Sequence, residues 1–187
     1  LGRSILEQLR GICPKARIIF IEGNHEMRFK KYLVERAPEL YQLFLGGSEI
    51  LMEYLLNCHK YKIEYKPVRK ELDKFAHNYI EINGVYIGHF DKINKNAGYT
   101  ARALRDELGV NIIQSHTHRI GSSVKTFIDS TKYGMEIGCL SSRPTFLNNA
   151  DWALGWLNVY LDGPNFYPYQ IILKDYEFIF EGKKFSL

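Results

Sequence analysis

Three times this sequence leaves a short apolar run and passes directly to a histidine. Arg17-Ile18-Ile19-Phe20-Ile21 runs into Glu22-Gly23-Asn24-His25-Glu26, Val85-Tyr86-Ile87 into Gly88-His89-Phe90, and Val110-Asn111-Ile112-Ile113-Gln114 into Ser115-His116-Thr117-His118. The first run is uninterrupted, the pattern of a strand covered on both faces in an α/β sheet. Ligands bind at the carboxyl ends of such strands, because loops converge there while the sheet holds them rigid. Ligand-type residues recurring at that one location are hard to attribute to packing.

The segments between these strands read as helices and turns. Ile5 and Leu9 lie four apart on one helical face over Ser4 to Leu9, which Gly11 and Pro14 are expected to end. From Met27 to about Asn57, Tyr32, Leu33, Leu40, Leu43, Phe44, Leu51, Tyr54 and Leu55 recur at steps of three and four, with breaks near Pro38 and Gly46-Gly47, which predicts a helical insertion. The lysine-rich alternation from Tyr61 to Val68 reads as an edge strand. Asn83-Gly84 between Tyr79–Ile82 and Val85–Ile87 predicts a two-residue hairpin turn. Gly98 to Leu108 is an amphipathic helix with Ala101, Leu104 and Leu108 on one side, stopped by Gly109. Short strands are predicted at 124–128, 134–140, 155–161, 169–173 and 177–180, enough for a second sheet.

With 187 residues, 45% of them hydrophobic and without any block of like charges, the chain is expected to form a single domain with a substantial core. The net charge of +4 favours anionic partners but does not single out nucleic acid. Cys13, Cys58 and Cys139 show no paired spacing, which suits buried free thiols in a reducing, cytoplasmic setting. No apolar run has the length of a membrane span.

The chemistry of the three clusters can be read locally. Residues two apart on an extended chain point to one face about 6 to 7 Å apart, so His116 and His118 could share one metal or two metals about 3.5 to 4 Å apart. Gly23 permits a sharp turn, the Asn24 side-chain oxygen can ligate a cation, and His25 can give a proton to an anion. Asn24 also suits a plain helix cap, which does not need His25-Glu26.

With Gly23-Asn24-His25-Glu26, Gly88-His89 and Ser115-His116-Thr117-His118 in this order, the sequence resembles the calcineurin-like metallophosphoesterases. That family includes protein phosphatases, nucleotide phosphodiesterases and DNA-repair nucleases. Its ordered motifs are D-x-H, G-D, G-N-H-D/E, a histidine after a strand, and G-H-x-H. The resemblance covers residues 17–120. Ser115 departs from the pattern, and so does Phe90, which stands where relatives often carry glycine.

The resemblance implies an αββα sandwich of two packed β-sheets flanked by helices, with the insertion at about 27–57. Asn24, His89 and His116 would ligate one metal and His118 the other. His25 would be the acid that protonates the leaving oxygen, and Glu26 would support the site. Two divalent ions are implied, manganese first, with zinc, iron, nickel or magnesium also able to serve; mixed nitrogen and oxygen ligands favour transition metals over magnesium. Arg119, beside the histidine pair, could grip a substrate phosphate through two hydrogen bonds.

The D-x-H and G-D motifs are absent before residue 17, and with them the aspartate that bridges the metals. The sheet is therefore expected to be incomplete at the N-terminus, with those segments upstream of Leu1. The function expected is hydrolysis of phosphate mono- or diesters. The basic, aromatic stretches Met27–Lys31 and Lys60–Lys70 keep open a DNA or RNA nuclease, although a solvated helix face and a charged edge strand explain them more simply. A degenerate domain that only binds metal or nucleic acid is the rival from another class. His59 and His77 are read as surface histidines, Trp152 and Trp156 as packing aromatics, and Cys139 as a small core residue. The sequence leaves the oligomeric state undetermined.

Overall fold

The computed structural model describes residues 2–45, 51–68, 79–141, 151–163 and 165–186. The chain divides into two compact units, Leu1–Asn78 and Tyr79–Leu187, each with its own core.

The first unit holds α1 (Gly2–Ile12), β1 (Ile18–Ile21), α2 (Asn24–Arg36), α3 (Pro38–Leu45), α4 (Leu51–Leu55) and β2 (Ile63–Lys66). Helix α1 outruns its expected end at Gly11, because Arg10 collects the carbonyls beyond it. Its guanidinium donates to the carbonyl oxygens of Cys13 at 3.3 Å, Pro14 at 3.2 Å and Ala16 at 2.8 Å, and also to those of Tyr61 at 2.7 Å and Lys62 at 2.8 Å. One cation thus closes the helix and ties it to the chain ahead of β2. The lysine-rich stretch is a strand, as expected, and it pairs in parallel with β1, Ile18 opposite Ile63 and Ile21 opposite Lys66. Leu6, Cys58, Tyr61 and Ile63 form the core, with Ile18, Phe20, Leu56 and Tyr65 against it.

The segment expected to be helical from Met27 is helical from Asn24. It breaks at Ala37 and Pro38, where proline cannot donate to the helical ladder. The Gly46-Gly47 break and His77 lie outside the described residues. Leu33 is buried, whereas Tyr32, Leu40 and Tyr54 stand exposed, so the three-and-four periodicity overstated the buried face.

The second unit holds β3 (Tyr79–Ile82), β4 (Val85–Gly88), α5 (Tyr99–Leu108), β5 (Asn111–Gln114), β6 (Ile120–Thr126), β7 (Thr131–Ile137), β8 (Gly155–Asp162), β9 (Asn165–Ile172), β10 (Glu177–Phe180) and β11 (Lys183–Ser186). Asn83 and Gly84 take positive φ of 50° and 75° and join β3 to β4 by the expected hairpin. The main sheet runs β3-β4-β5-β7-β6, with β4, β5 and β7 parallel and the outer strands antiparallel.

Alternation along the central strands separates two cores. Tyr86 and Ile112 face α5, in a cluster with Phe90, Ala101 and Leu104. Val85, Ile113 and Met135 face the other way, onto Leu157, Val159 and Phe166 of the β8–β9 hairpin. The fold is a mixed α/β architecture with packed sheets: helix, five-stranded sheet, second sheet.

Strand β11 escaped the sequence reading because Lys183–Ser186 is exposed at every position and shows no alternation. It forms because Phe185 stacks on Phe178, ring centres 4.9 Å apart, and Phe178 meets Trp156 edge-on at 4.9 Å. No described helix is long and apolar enough to cross a membrane. Among the thiols, Cys58 is buried as expected, Cys139 is half-buried and Cys13 is exposed.

Candidate functional site

The first cluster opens α2. Gly23 is the cap, and Asn24 and His25 are the first helical residues, so the cap expected of Asn24 falls one residue earlier. Asn24 is half-buried and His25 exposed. Glu26 turns back on the helix end, its Oε2 accepting the Gly23 amide at 2.9 Å. This closes an orphan donor and sets a negative charge against the helix N-terminus, which gives Glu26 a structural task beside the expected supporting one. Just ahead, Glu22 is buried and accepts the Val68 amide at 2.6 Å, which fixes the end of β1 against the chain leaving β2.

The second and third clusters leave neighbouring strands of one sheet. Gly88 and Gln114 are partners in the parallel β4–β5 register, so His89 and His116 emerge side by side. The rings meet edge to face with centres 4.5 Å apart, and His116 Nδ1 lies 2.8 Å from His89 Nε2. The structure therefore brings this pair together. Strand β1, which precedes Asn24 and His25, pairs with β2 among the described residues.

His118 is placed by a turn rather than by an extended strand. Residues 116 and 117 turn, the His118 amide approaches the Ser115 carbonyl at 3.5 Å, and His118 has a left-handed φ of 58°. The alternation argument for a shared His116–His118 face therefore fails, since it requires extended backbone. His118 instead packs edge-on against Trp152, ring centres 4.1 Å apart, which fits the packing role expected of that tryptophan. The His118 carbonyl accepts the Ala153 amide at 3.0 Å, and the Arg119 carbonyl accepts the Gly138 amide at 2.7 Å, so the turn is clamped on both sides.

Arg119 is a staple. Its Nε donates to Asp151 at 2.6 Å and its Nη1 to the carbonyls of Asn94 at 2.7 Å and Lys95 at 2.9 Å. A two-bond grip on phosphate would have to displace either Asp151 from Nε or a backbone carbonyl from Nη1.

Two residues central to this site gave no signal in the sequence. Glu136, wholly buried on β7, accepts the Thr100 and Ala101 amides of the first turn of α5 at 2.9 and 3.3 Å through one oxygen, and the Thr117 hydroxyl at 2.8 Å through the other. A single carboxylate thus caps α5 and holds the turn between His116 and His118. Gln114, wholly buried at the end of β5, has neither amide atom hydrogen-bonded among the described residues. Phe90 is 1% exposed, stacks on Tyr79 and takes a φ of 39°, the left-handed region a glycine enters without strain.

Fold and site together define a mixed α/β protein with packed sheets and a histidine pair at the carboxyl ends of adjacent parallel strands. Among the described residues no group of three His, Cys, Asp or Glu is gathered that could hold a metal ion. No family model matches the chain, and no curated protein matches it. Among solved structures it is similar to a single mutant of Vps29 from Entamoeba histolytica, at 19% identity and a TM-score of 0.39, over 65% of this chain and 66% of that one. It is also similar to Vps29 from Chaetomium thermophilum, at 14% identity and a TM-score of 0.41, over 86% of this chain and 93% of that one.

Proposed function

We propose that the protein is a metal-dependent hydrolase of phosphate mono- or diesters, with His89 and His116 as paired imidazole ligands. One observation carries this reading: two ring nitrogens 2.8 Å apart at the carboxyl ends of β4 and β5. Two imidazole nitrogens bound to one ion at about 2.0–2.1 Å stand about 2.9 Å apart at a right angle and about 3.4 Å at the tetrahedral angle. The pair fits one ion after opening by a few tenths of an ångström; without metal, 2.8 Å is also the length of a single hydrogen bond between the rings.

The wider ligand set, Asn24 with the pair and His118 on a second ion, rests on motif order alone. The chain carries neither D-x-H nor G-D, so the carboxylates of a two-metal centre are not supplied by these residues. When bound, a divalent ion such as manganese supplies Lewis acidity toward a phosphoryl oxygen and lowers the pKa of water. On motif order likewise, His25, exposed in the first turn of α2, would give its proton to the departing ester oxygen as the bond from phosphorus to that oxygen breaks and a water oxygen takes its place.

The test is hydrolysis of a chromogenic phosphodiester by the intact protein with manganese. Loss of an outer-shell partner alone costs a metal site about 10–100-fold, so His116→Ala is expected to lose at least about 100-fold. His25→Ala, losing a general acid, is expected to lose about 100-fold or more. Full activity in either variant would remove the role assigned to that residue. The rival reading is non-catalytic: the pair binds metal without turnover. Metal uptake by wild type without hydrolysis of phosphomonoesters or phosphodiesters would decide for it. A nucleic-acid substrate rests on Lys60, Lys62 and Lys66; single-stranded DNA binding unchanged in their triple alanine variant would dismiss it.

A further inference from the structure

We propose that the cleft between α5 and the edge strand β6 binds a compact oxyanion of the phosphate class, at a site separate from the histidine pair. The cavity, about 460 Å³, is lined by Arg102, Arg105, Asp106, Ser123, Val124 and Lys125. No histidine borders it.

The argument is one of charge and burial. Arg105 is 2% exposed, and a buried guanidinium needs an anion and hydrogen-bond acceptors around it. It donates Nε–H and Nη2–H to Asp106 Oδ1 at 3.1 and 2.9 Å, and Nη1–H to the Ser123 hydroxyl at 3.2 Å, which spends three of its five N–H bonds. The same carboxylate also serves Lys125 at 3.4 Å and Arg102 at 3.9 Å. Three cations share one carboxylate around an open volume, an excess of two positive charges. A dianion neutralises that excess, and phosphate offers the oxygens that guanidinium forks match. Asp106 is held below the usual carboxylate range; burial opposes this, but the hydrogen bond and charge of Arg105, then those of Lys125, outweigh it. It therefore stays ionised and holds the cations in place.

Packing alone explains only part of the cluster. The Arg105–Ser123 bond, with Ser123 donating to the Gly134 carbonyl at 3.3 Å, ties α5 to β6 and β7. Lys125 adds one longer bond across to Asp106 at 3.4 Å and Arg102 reaches only within α5, and both side chains stay about half exposed at the rim. The volume admits a small phosphate ester as readily as the free ion.

The experiment is calorimetric titration of the intact protein in metal-free buffer at constant ionic strength, with inorganic phosphate and, separately, glycerol 3-phosphate. Binding is expected in wild type and, undiminished, in a His89→Ala/His116→Ala variant. It is expected to weaken by about tenfold or more in Arg102→Gln/Lys125→Gln, which removes two charge-assisted contacts and leaves Arg105 in place. Tighter binding of the ester would identify a small phosphate ester as the occupant, and tighter binding of phosphate the free ion. No binding of either probe, or equal affinity in the rim variant, would overturn the proposal. Binding lost only in the histidine variant would overturn it too, while leaving the phosphoesterase reading standing.

Discussion

At the scale of single residues, the largest leverage lies in buried polar groups that no motif announces. Glu136 satisfies two helix amides and Thr117 at once, so Glu136→Gln turns an amide nitrogen or a weaker acceptor toward fixed donors. Hydrogen bonds to charged groups are worth about 1.5–3 kcal/mol, and a loss of that size is expected in urea unfolding. An unchanged midpoint would mean that the cap does not matter. Tyr65 offers a test by pH. Burial first, then the nearby Glu22 carboxylate, push its phenol up from its ordinary value. The fold therefore keeps that proton longer than the unfolded chain does. The resulting stability is complete below about pH 10, the unfolded value, and is lost as pH rises beyond it. Tyr65→Phe is expected to lose less stability than wild type between about pH 9 and about pH 11, measured by urea unfolding; parallel losses would contradict this. The histidines were legible in the sequence because they directly follow apolar runs. Glu136 and Gln114 were not, because a buried glutamate or glutamine within a strand looks like any solvated one until its neighbours are known.

At the scale of elements, local signals succeeded where the chain itself sets the geometry. Asn83-Gly84 fixed a hairpin, and the strand–helix–strand order of β4, α5 and β5 followed from the apolar runs, the amphipathic stripe and Gly109, whose φ of 68° ends the helix. Boundaries failed where a distant partner decides them. Arg10 extends α1 past Gly11, the turn at residues 116 and 117 replaces the extended chain assumed for His116 and His118, and an aromatic stack creates β11. Two glycines test the packing in opposite directions. A Cβ on Gly134 would lie 2.6 Å from the Ala101 carbonyl oxygen, backbone that cannot swing aside, so Gly134→Ala is expected to cost about 1–3 kcal/mol. A Cβ on Gly11 meets nothing within 4 Å in the last turn of α1, so Gly11→Ala is expected to gain about 0.5–1 kcal/mol. Thermal unfolding of both variants checks the pair, and a gain at Gly134 would refute the close seating of α5 on β7.

At the scale of the whole molecule, the α/β class was readable from apolar runs of strand length around an amphipathic helix, whereas the two-sheet sandwich was implied by the resemblance. Residues 85–87 and 112–113 alternate between the α5 core and the second-sheet core, and that alternation is the helix–sheet–sheet order itself. The division at residue 78 was not readable, because it depends on which strands pair, and β1 chooses β2 rather than β4 or β5. The function turns on whether His89 and His116 hold an ion or merely hydrogen-bond to each other. Elemental analysis of the intact protein, loaded with manganese and dialysed, separates the two. Bound manganese is expected in wild type and should fall by at least about tenfold in His89→Ala/His116→Ala, as loss of ligands demands. Equal manganese in both proteins, or none in wild type, would contradict a metal site at this pair.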